Sequence, residues 1–293
     1  MTPAVSVVVP VYNGEQTLDA CLQSLAQQSM KRDLFEIIVV DDGSKDRSAE
    51  IARRYGATVI VQANAGAPAA RNAGIAAARG TWIAFTDSDC VCSRTWLASL
   101  VAAAERETGA IGAAGKTIGF RSQTAAARFV DLMGGLDPIR SLAHPRFPFA
   151  PTSNALYRRE YVVAAGGFDT RYATYDACDL HTRLRRLYDA RFTYEERALV
   201  MHRHRQTWRA YWRQQFFYGV GYAQFALAYR KDVRWTALHQ VRAGIDLAVK
   251  AFGAVLPGHD DAALLRRGWL VRAAAQQAGF VRTYYNPRER RRW

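Results

Sequence analysis

The sequence has 293 residues, of which 49% are apolar and 23% charged, and its formal net charge is +14 at pH 7. This composition is typical of a folded globular protein and excludes an intrinsically disordered chain. Four cysteines are too few for a disulfide scaffold, and no run approaches the roughly 20 apolar residues that a spanning helix needs.

Strand and helix patterns alternate along the first 90 residues. Apolar and β-branched runs predict buried strands at residues 5–11, 36–40, 57–61 and 82–86. Helical patterns follow the first three strands, at residues 18–25, 46–55 and 69–79. Such units pair into a mostly parallel sheet with helices on both faces, so the sequence predicts an α/β, Rossmann-like fold.

The pattern becomes less regular after residue 90. It predicts a helix at 93–107, a strand at 111–118, a proline-rich loop at 134–152, a strand at 153–158, a helix at 175–188, and short strands near 192 and at 198–201. A loop as long as 134–152 is often a functional lid. We expect one domain at residues 1–205 and a helical C-terminal extension at residues 206–293.

The predicted extension is basic and aromatic. From residue 202 onward, 17 Lys and Arg side chains stand against 5 Asp and Glu, which favours an anionic lipid surface or nucleic acid as partner. Aromatic side chains recur at three- and four-residue steps over residues 206–229 and predict an amphipathic helix. That stripe either lies in a membrane interface or packs on the preceding domain. Residues 288–293 are expected to form a disordered basic end.

Three polar segments lie at the ends of predicted strands, at the carboxyl ends where α/β sheets bind ligands. They are Pro10-Val11-Tyr12-Asn13, Asp41-Asp42-Gly43-Ser44 and Asp87-Ser88-Asp89. In extended backbone Asp87 and Asp89 point to one side, and they repel each other unless a cation lies between them. Mg²⁺ or Mn²⁺ prefers carboxylate oxygens and often also binds phosphate, so we expect a metal site for a phosphate-bearing ligand. A solvated turn is the alternative.

Other ligand motifs are weak or missing. No G-x-G-x-x-G and no P-loop pattern follows the first strand, which disfavours a dinucleotide site. Cys90 and Cys92 are separated by one residue, a shorter spacing than zinc pairs use.

Four longer blocks have the order and spacing of a known enzyme family. They are VSVVVPVYNGEQTLDACLQSL, EIIVVDDGSKDRS, NAGAPAARNAGIAAARGTWIAFTDSD and SNALYRREYVVAAGGFD. Together they resemble family 2 glycosyltransferases, which have the GT-A fold, and the resemblance covers residues 4–205. It implies inverting transfer of a sugar from a nucleotide-sugar, usually UDP-linked, to an acceptor hydroxyl, with Mn²⁺ or Mg²⁺ as cofactor.

The resemblance also implies a nucleotide pocket. Asp42 corresponds to the residue that hydrogen-bonds the base, and the ring of Tyr12 is placed to stack on that base. Pro10, Asn13 and Asp41 are expected to belong to the same pocket.

The diphosphate and the metal have their own candidates. Arg71 suits a diphosphate because it lies near a predicted helix start, although an ordinary surface ion pair is the alternative. Asp89 corresponds to the direct metal ligand, and Asp87 supports the metal and the ribose. His202 is a further candidate ligand, with His204 and His181 as weaker ones, although a lone histidine is more often structural.

A general base is also required, because the acceptor hydroxyl loses its proton as it attacks. The family places this base at the first Asp of a Glu-Asp-x-Asp-Leu segment, and the corresponding run here is Asp176-Ala177-Cys178-Asp179-Leu180. Alanine occupies the usual base position. Asp176 and Asp179 share a helix face, and we favour Asp176, because Asp179 is a candidate partner for Arg183. The alternative is that neither is the base and the chain is a weak or divergent transferase.

The sequence therefore predicts a peripheral glycosyltransferase on the cytoplasmic face of the membrane, acting on a lipid-linked or polysaccharide acceptor of the cell envelope. A signal peptide is not recognisable, which favours the cytosol. A processive polymerase is not expected, since no Gln-x-x-Arg-Trp motif follows the Asp176 segment. A basic nucleic-acid-binding protein and a nucleotidyltransferase are the alternatives. The first is disfavoured because the positive charge avoids the predicted sheet, and the second because no Gly-rich phosphate loop is present.

Overall fold

The computed structural model describes residues 2–189 and 191–293, and its described part contains an eight-stranded mixed sheet. The strands are β1 (Val5–Val11), β2 (Phe35–Asp41), β3 (Thr58–Val61), β4 (Trp82–Phe85), β5 (Cys90–Cys92), β6 (Ala110–Gly119), β7 (Ala155–Arg158) and β8 (Arg191–His202). Their order is β3-β2-β1-β4-β7-β6-β8-β5. The first four strands pair in parallel, as does β6 with β8, whereas β7 is antiparallel to both neighbours and β5 is antiparallel to β8.

Helices follow most of the strands and also form the C-terminal region. They are α1 (Leu18–Ala26), α2 (Ser48–Arg54), α3 (Ala67–Ala77), α4 (Trp96–Arg106), α5 (Ala125–Leu132), α6 (Ile139–Leu142), α7 (Arg159–Ala164), α8 (Asp176–Tyr188), α9 (Trp208–Ala228), α10 (Arg230–Val233), α11 (Ala237–Val255), α12 (Asp261–Tyr284) and α13 (Pro287–Arg292). The predicted loop at 134–152 thus includes the short helix α6.

The apolar residues of β1 explain why the sheet is covered on both faces. Val7 and Val9 pack in one core cluster with α1, α2 and α4, whereas Val8 packs in a second cluster with α3, α7 and α8. Successive side chains of a strand point to opposite faces, so a continuous apolar run such as β1 requires two cores. The predicted α/β fold with helices on both faces is confirmed.

Two predicted local structures are wrong. The short strands near residues 192 and 198–201 are one strand, β8, whose register against β6 shifts between Gly115 and Thr117. The basic end at 288–293 is not disordered, because Pro287–Arg292 forms helix α13. Its cap explains this: the Asn286 side chain accepts a hydrogen bond from the Arg288 backbone N–H at 2.9 Å, and Pro287 occupies the first turn.

The chain divides into two compact units. The first comprises Met1–Phe120, Leu136–Thr170 and Asp176–Arg203, and the second comprises Arg121–Gly135, Arg171–Tyr175 and His204–Trp293. The predicted domain boundary after residue 205 stays a prediction, because a compact unit need not fold independently.

Much of the aromatic stripe of α9 is buried inside the second unit. Tyr211 and Phe225 are each 1% exposed, and Phe129 of α5 packs against the rings of Trp208 and Tyr211. The helices α9 and α12 approach so closely that a Cβ added at Gly219 would lie 2.0 Å from the Gln276 carbonyl oxygen. Packing therefore accounts for these turns of the stripe. None of the described helices combines the length and the apolarity that crossing a bilayer requires.

A buried hydrogen-bond cluster joins β1 and β2 to the segment before β4. The Ser6 hydroxyl donates to Glu36 Oε1 at 2.6 Å, and the Arg79 guanidinium donates to Glu36 Oε2 at 2.7 Å. Burial raises the pKa of Glu36, but the hydrogen bonds from Arg79 and Ser6 outweigh it and hold the pKa below its ordinary value of 4.5.

We expect Glu36→Gln to lower the free energy of unfolding by about 2 kcal/mol at neutral pH, because charge-assisted hydrogen bonds are lost. A carboxyl whose folded-state pKa is depressed stabilises the fold above its unfolded pKa and loses this effect as the pH falls through the folded value. The difference between the two proteins should therefore shrink as the pH falls below 4.5. Urea unfolding at several pH values measures it, with the exposed Glu50→Gln as control. A pH-independent difference would contradict this account.

Candidate functional site

The sheet order brings the three polar segments to one edge. Strand β1 lies between β2 and β4, all three run parallel, and Val11 of β1 is level with Asp41 of β2. Asp87 and Asp89 follow the end of β4 at Phe85. The segments that end these strands are therefore neighbours at the carboxyl edge, the position where α/β sheets bind ligands.

Asp42 organises the loop that precedes α3. Its Oδ1 accepts hydrogen bonds from Gln62 Nε2 at 2.8 Å and from the Ala65 backbone N–H at 2.9 Å, and its Oδ2 accepts from the Gly66 N–H at 2.8 Å. The Asp42 residue is only 4% exposed. A nucleobase at this position would meet a carboxylate that is already fixed by the protein, while a direct contact with the base stays a prediction.

Asn13 joins the end of β1 to the loop after β2, and Asp41 stabilises that loop. The Asn13 N–H donates to the Ser44 hydroxyl at 2.9 Å, and the Asn13 side-chain oxygen accepts from the Lys45 N–H at 2.9 Å. The buried Asp41 accepts from the Ser44 N–H at 2.7 Å. Asn13 has a φ of 51°, a left-handed conformation that asparagine tolerates better than most residues.

Tyr12 and Pro10 differ in exposure. Tyr12, one residue after β1, is 52% exposed, so its ring can accept a planar ligand by stacking. Pro10 lies within β1, opposite Val40 of β2, and is half-buried. Of the two, Tyr12 offers the larger contact surface to a ligand.

Arg71 connects two of the predicted site segments. One terminal nitrogen donates to Asp176 Oδ2 at 2.8 Å, and the other donates to Asp87 Oδ1 at 3.4 Å. The guanidinium carbon lies 5.6 Å from the centre of the Phe168 ring, and the residue is 7% exposed. The arginine is thus a buried junction between Asp87 and Asp176 and not a surface ion pair.

The electrostatics of this junction keep Arg71 charged. Burial lowers the pKa of Arg71, but the carboxylates of Asp176 and Asp87 outweigh it, so the pKa lies above its ordinary value. Its Nε is buried and has no hydrogen-bond partner within the described part of the chain. Asp87 and Asp176 thus share one buried, charged arginine.

Asp89 and His202 lie together. Cys90 of β5 is paired with His202 of β8, and His202 Nε2 is 3.4 Å from Asp89 Oδ1. The potential ligand atoms of Asp89, Cys90 and His202 are all within 4.8 Å of one another. Asp87 is not a member of this group. The structure therefore places two of the three predicted metal ligands in one cluster and the third beside Arg71.

The donor set of this cluster suits a divalent cation. A carboxylate oxygen and an imidazole nitrogen are ligands that Mn²⁺ accepts, and the Asp89 side chain keeps 18% of its surface exposed. Burial, followed by the carboxylates of Asp89 and Asp87, raises the pKa of the Cys90 thiol well above its ordinary value. A soft thiol is also a poorer ligand for a hard cation than a carboxylate is.

Asp179 has a different environment from Asp176. The Arg183 guanidinium donates to Asp179 Oδ2 from Nε at 2.8 Å and lies 2.7 Å from the same oxygen through its terminal nitrogen. Arg183 also donates to the Gly167 carbonyl oxygen at 2.7 Å. The pair Asp179–Arg183 therefore joins α8 to the turn after α7. The sequence predicts this pairing as the alternative to a role of Asp179 as the base.

The two weaker histidine candidates have partners elsewhere. His181 Nε2 accepts from the Ala150 N–H at 3.3 Å and lies 2.8 Å from the Tyr157 hydroxyl, and burial lowers the pKa of His181 to about 3. The imidazole is therefore neutral and structural. His204 Nε2 lies 3.0 Å from Asp131 Oδ1 within the second unit.

Sequence reasoning missed two features of the site. It did not predict the Arg71–Asp176 ion pair, whose residues are 105 positions apart, with Asp176 outside the four sequence blocks. It also did not predict that Cys90 lies beside the candidate metal ligands Asp89 and His202. The pairing of β5 with β8 creates that position, and nothing in the local sequence around Cys90 indicates the partner strand.

The mixed sheet with acidic residues at its strand ends can be compared with solved structures. The chain has the GT-A fold, and it is similar over 98% of its length to the mannosyltransferase PcManGT from Pyrobaculum calidifontis, solved in complex with GDP-Man and Mn²⁺. The TM-score is 0.71, the identity is 20%, and 88% of that chain is covered.

The sequence comparisons identify the family. The profile of glycosyl transferase family 2 matches residues 6–164, more than half of the chain, and the chain belongs to this family. It is 32% identical to the pre-mycofactocin glycosyltransferase of Mycobacterium tuberculosis H37Rv over 76% of this chain and 47% of that relative. It is 45% identical to the uncharacterized glycosyltransferase EpsJ of Bacillus subtilis over 36% of this chain and 32% of that relative. The chain thus matches less than half of the length of either relative.

The family assignment confirms the resemblance found in the four sequence blocks.

Proposed function

We propose that the chain transfers a sugar from a nucleotide-sugar to the hydroxyl of a lipid-linked or polysaccharide acceptor with inversion at the anomeric carbon. One observation carries the proposal: the first unit contains both an Asp89–His202 pair and an Arg71–Asp176 pair, and Asp87 belongs to the same short segment as Asp89 and contacts Arg71. Groups for the leaving diphosphate and for the acceptor are thus provided on neighbouring segments.

The nucleotide contacts in this proposal come from β1 and β2. Tyr12 stacks on the base, while Asp42 contacts the base from a carboxylate whose position is set by Gln62, Ala65 and Gly66. Pro10, Asn13 and Asp41 shape the pocket by fixing the two strand ends. Because these contacts exist before any ligand binds, little reorganisation is needed on binding.

Asp89 and His202 would hold the cation, with Asp87 in support. A bound Mn²⁺ or Mg²⁺ stabilises the negative charge that develops on the diphosphate as the sugar leaves. Arg71 contributes a second positive charge and orients Asp87 and Asp176 through its two terminal nitrogens.

Asp176 accepts the acceptor's proton in this scheme. The contact with Arg71 fixes the position of this carboxylate, and a general base must be positioned to reach the proton that it removes. Inversion follows from a single displacement, in which the deprotonated hydroxyl attacks the anomeric carbon opposite the leaving diphosphate. Asp179 is a less suitable base because both of its contacts with Arg183 are structural.

The donor nucleotide and the place of action complete the proposal. The sequence resemblance favours a UDP-sugar, whereas PcManGT was solved with GDP-Man. The basic C-terminal region is suited to an anionic surface, so we propose that the enzyme acts as a peripheral protein on the cytoplasmic face of the membrane, in cell-envelope polysaccharide synthesis.

A donor panel tests this proposal. The purified chain is incubated with UDP-, GDP- and dTDP-sugars, with Mn²⁺ or with EDTA, and nucleoside diphosphate release and the melting temperature are measured. We expect one donor class to raise the melting temperature by several degrees in Mn²⁺ only, because ligand binding at 100 times Kd stabilises by about 2.7 kcal/mol. Equal stabilisation in EDTA would contradict the metal dependence, and no response to any donor would contradict the function.

A further inference from the structure

Helix α11 exposes a row of large apolar side chains. Five large apolar residues recur along it at three- and four-residue steps, and each is between 56% and 73% exposed. They are Leu238, Val241, Ile245, Val249 and Phe252. We call this row the α11 apolar face. Most helices on protein surfaces turn such a row toward the core, so this arrangement requires a partner or an apolar medium.

The opposite side of α11 is already occupied. The helix packs against α12, and residues such as Ala243 and Leu247 are less exposed than the five members of the apolar face. The α11 apolar face is therefore not the side by which the helix attaches to its own unit. It remains open to an external partner.

A basic cluster adjoins the N-terminal end of α11. The Arg230 guanidinium of α10 donates to the Arg290 carbonyl oxygen of α13 at 2.9 Å, and Trp235, two residues before α11, packs against the Tyr284 ring of α12. Exposed cationic side chains of α10, α13 and the α10–α11 link are thus gathered near the start of α11. They are Arg230, Lys231, Arg234, Arg288, Arg291 and Arg292.

We propose that the α11 apolar face lies in the interfacial region of an anionic bilayer, with the basic cluster over the lipid headgroups. An exposed apolar row combined with clustered arginines and lysines is the pattern of helices that lie in the membrane plane. Charge complementarity favours lipid over a second copy of the chain, because a second copy would bring an equally basic cluster. The acidic residue of α11, Asp246, is paired with Lys250 of the same helix.

This inference rests on the proposed peripheral location and names the surface that would bind the membrane. It does not depend on sugar transfer. The residues involved lie outside the groups assigned to donor, metal and acceptor. Vesicle binding is measured without any nucleotide-sugar, so a failed donor assay would leave the membrane result readable.

Vesicle flotation tests the proposal. The full chain is mixed with vesicles of phosphatidylcholine alone or with added phosphatidylglycerol, at low and high salt. We expect binding to the anionic vesicles that is at least about tenfold stronger than to the neutral ones and that weakens with salt. Val249→Glu with Phe252→Glu should lower the anionic binding by a further factor of about ten or more, because charged residues replace the inserted side chains.

Matched variants distinguish a loss of binding through the α11 apolar face or the basic cluster from a general effect of added negative charge. Val163→Glu, at a residue of α7 that is 50% exposed, should leave vesicle binding unchanged. Arg291→Glu with Arg292→Glu should reduce the preference for anionic vesicles. Sedimentation without lipid measures the oligomeric state. The proposal would be overturned in favour of a second copy if the original chain forms a dimer and does not bind vesicles, and if the variant with Val249→Glu and Phe252→Glu is a monomer. Vesicle binding that survives this variant would also overturn it.

Discussion

Replacing Asp89 by asparagine should lower kcat/KM for sugar transfer by about 10³-fold, which corresponds to ~4 kcal/mol of lost transition-state stabilisation. The asparagine keeps the shape of the side chain but removes the negative charge that faces His202 at 3.4 Å. The backbone contact of this residue is preserved, because its carbonyl oxygen accepts the Arg203 N–H whatever the side chain. The fold should therefore survive.

Two measurements examine this expectation. Steady-state kinetics over a range of Mn²⁺ concentrations give kcat/KM, and calorimetric titration gives the affinity for Mn²⁺ in the presence of the donor nucleotide. Asp33→Asn, at an exposed residue before β2, is the matched control and should behave as the original chain. An Asp89→Asn enzyme with unchanged Mn²⁺ affinity would exclude Asp89 as a ligand.

Replacing Asp176 by asparagine should lower kcat by about 10²- to 10⁴-fold and leave donor affinity within about a factor of three, because general-base catalysis contributes factors of that size. The substitution also removes one of the two carboxylates that contact Arg71, and Asp87 remains as its partner. Some loss of stability is therefore expected, so the melting temperature and donor affinity must be measured beside kcat.

The pH profile separates a base from a merely structural residue. If Asp176 is the base, kcat of the original chain falls at acidic pH, and the Asp176→Asn variant loses that acidic limb. Asp179→Asn breaks the contacts with Arg183 and should mainly lower stability, with the acidic limb retained. The opposite pattern, in which the limb disappears only in Asp179→Asn, would assign the base to Asp179.

The sheet and its acidic edge could be predicted because their signals are local. The apolar run of β1 is unambiguous, since burial on both faces requires a continuous apolar sequence. The positions of Asp42 and Asp89 follow from the ends of β2 and β4, because parallel neighbours end at the same edge. The sequence pattern divides strand β8 in two because Glu195, Glu196 and Arg197 interrupt its apolar residues near the register shift.

Long-range partners could not be predicted in the same way. The ion pair between Arg71 and Asp176 depends on how α3 and α8 approach each other on one face of the sheet, and neither helix has a sequence feature that fixes this approach. The aromatic residues of α9 and the aliphatic residues of α11 are a second example. Both helices have periodic apolar rows, but periodicity does not reveal which row faces the core. The row of Tyr211 and Phe225 is buried, whereas that of Val249 and Phe252 is exposed.

Diffraction from crystals grown with Mn²⁺ and the nucleoside diphosphate of the accepted donor would test the central claim most directly. Anomalous scattering locates the manganese independently of any interpretation of the protein density. The proposed site predicts one strong peak at coordination distance from an Asp89 carboxylate oxygen, beside His202, with the diphosphate on the same ion and the base between Tyr12 and Asp42. A nucleotide bound in that pocket with the manganese elsewhere, or a base bound away from Asp42, would contradict it.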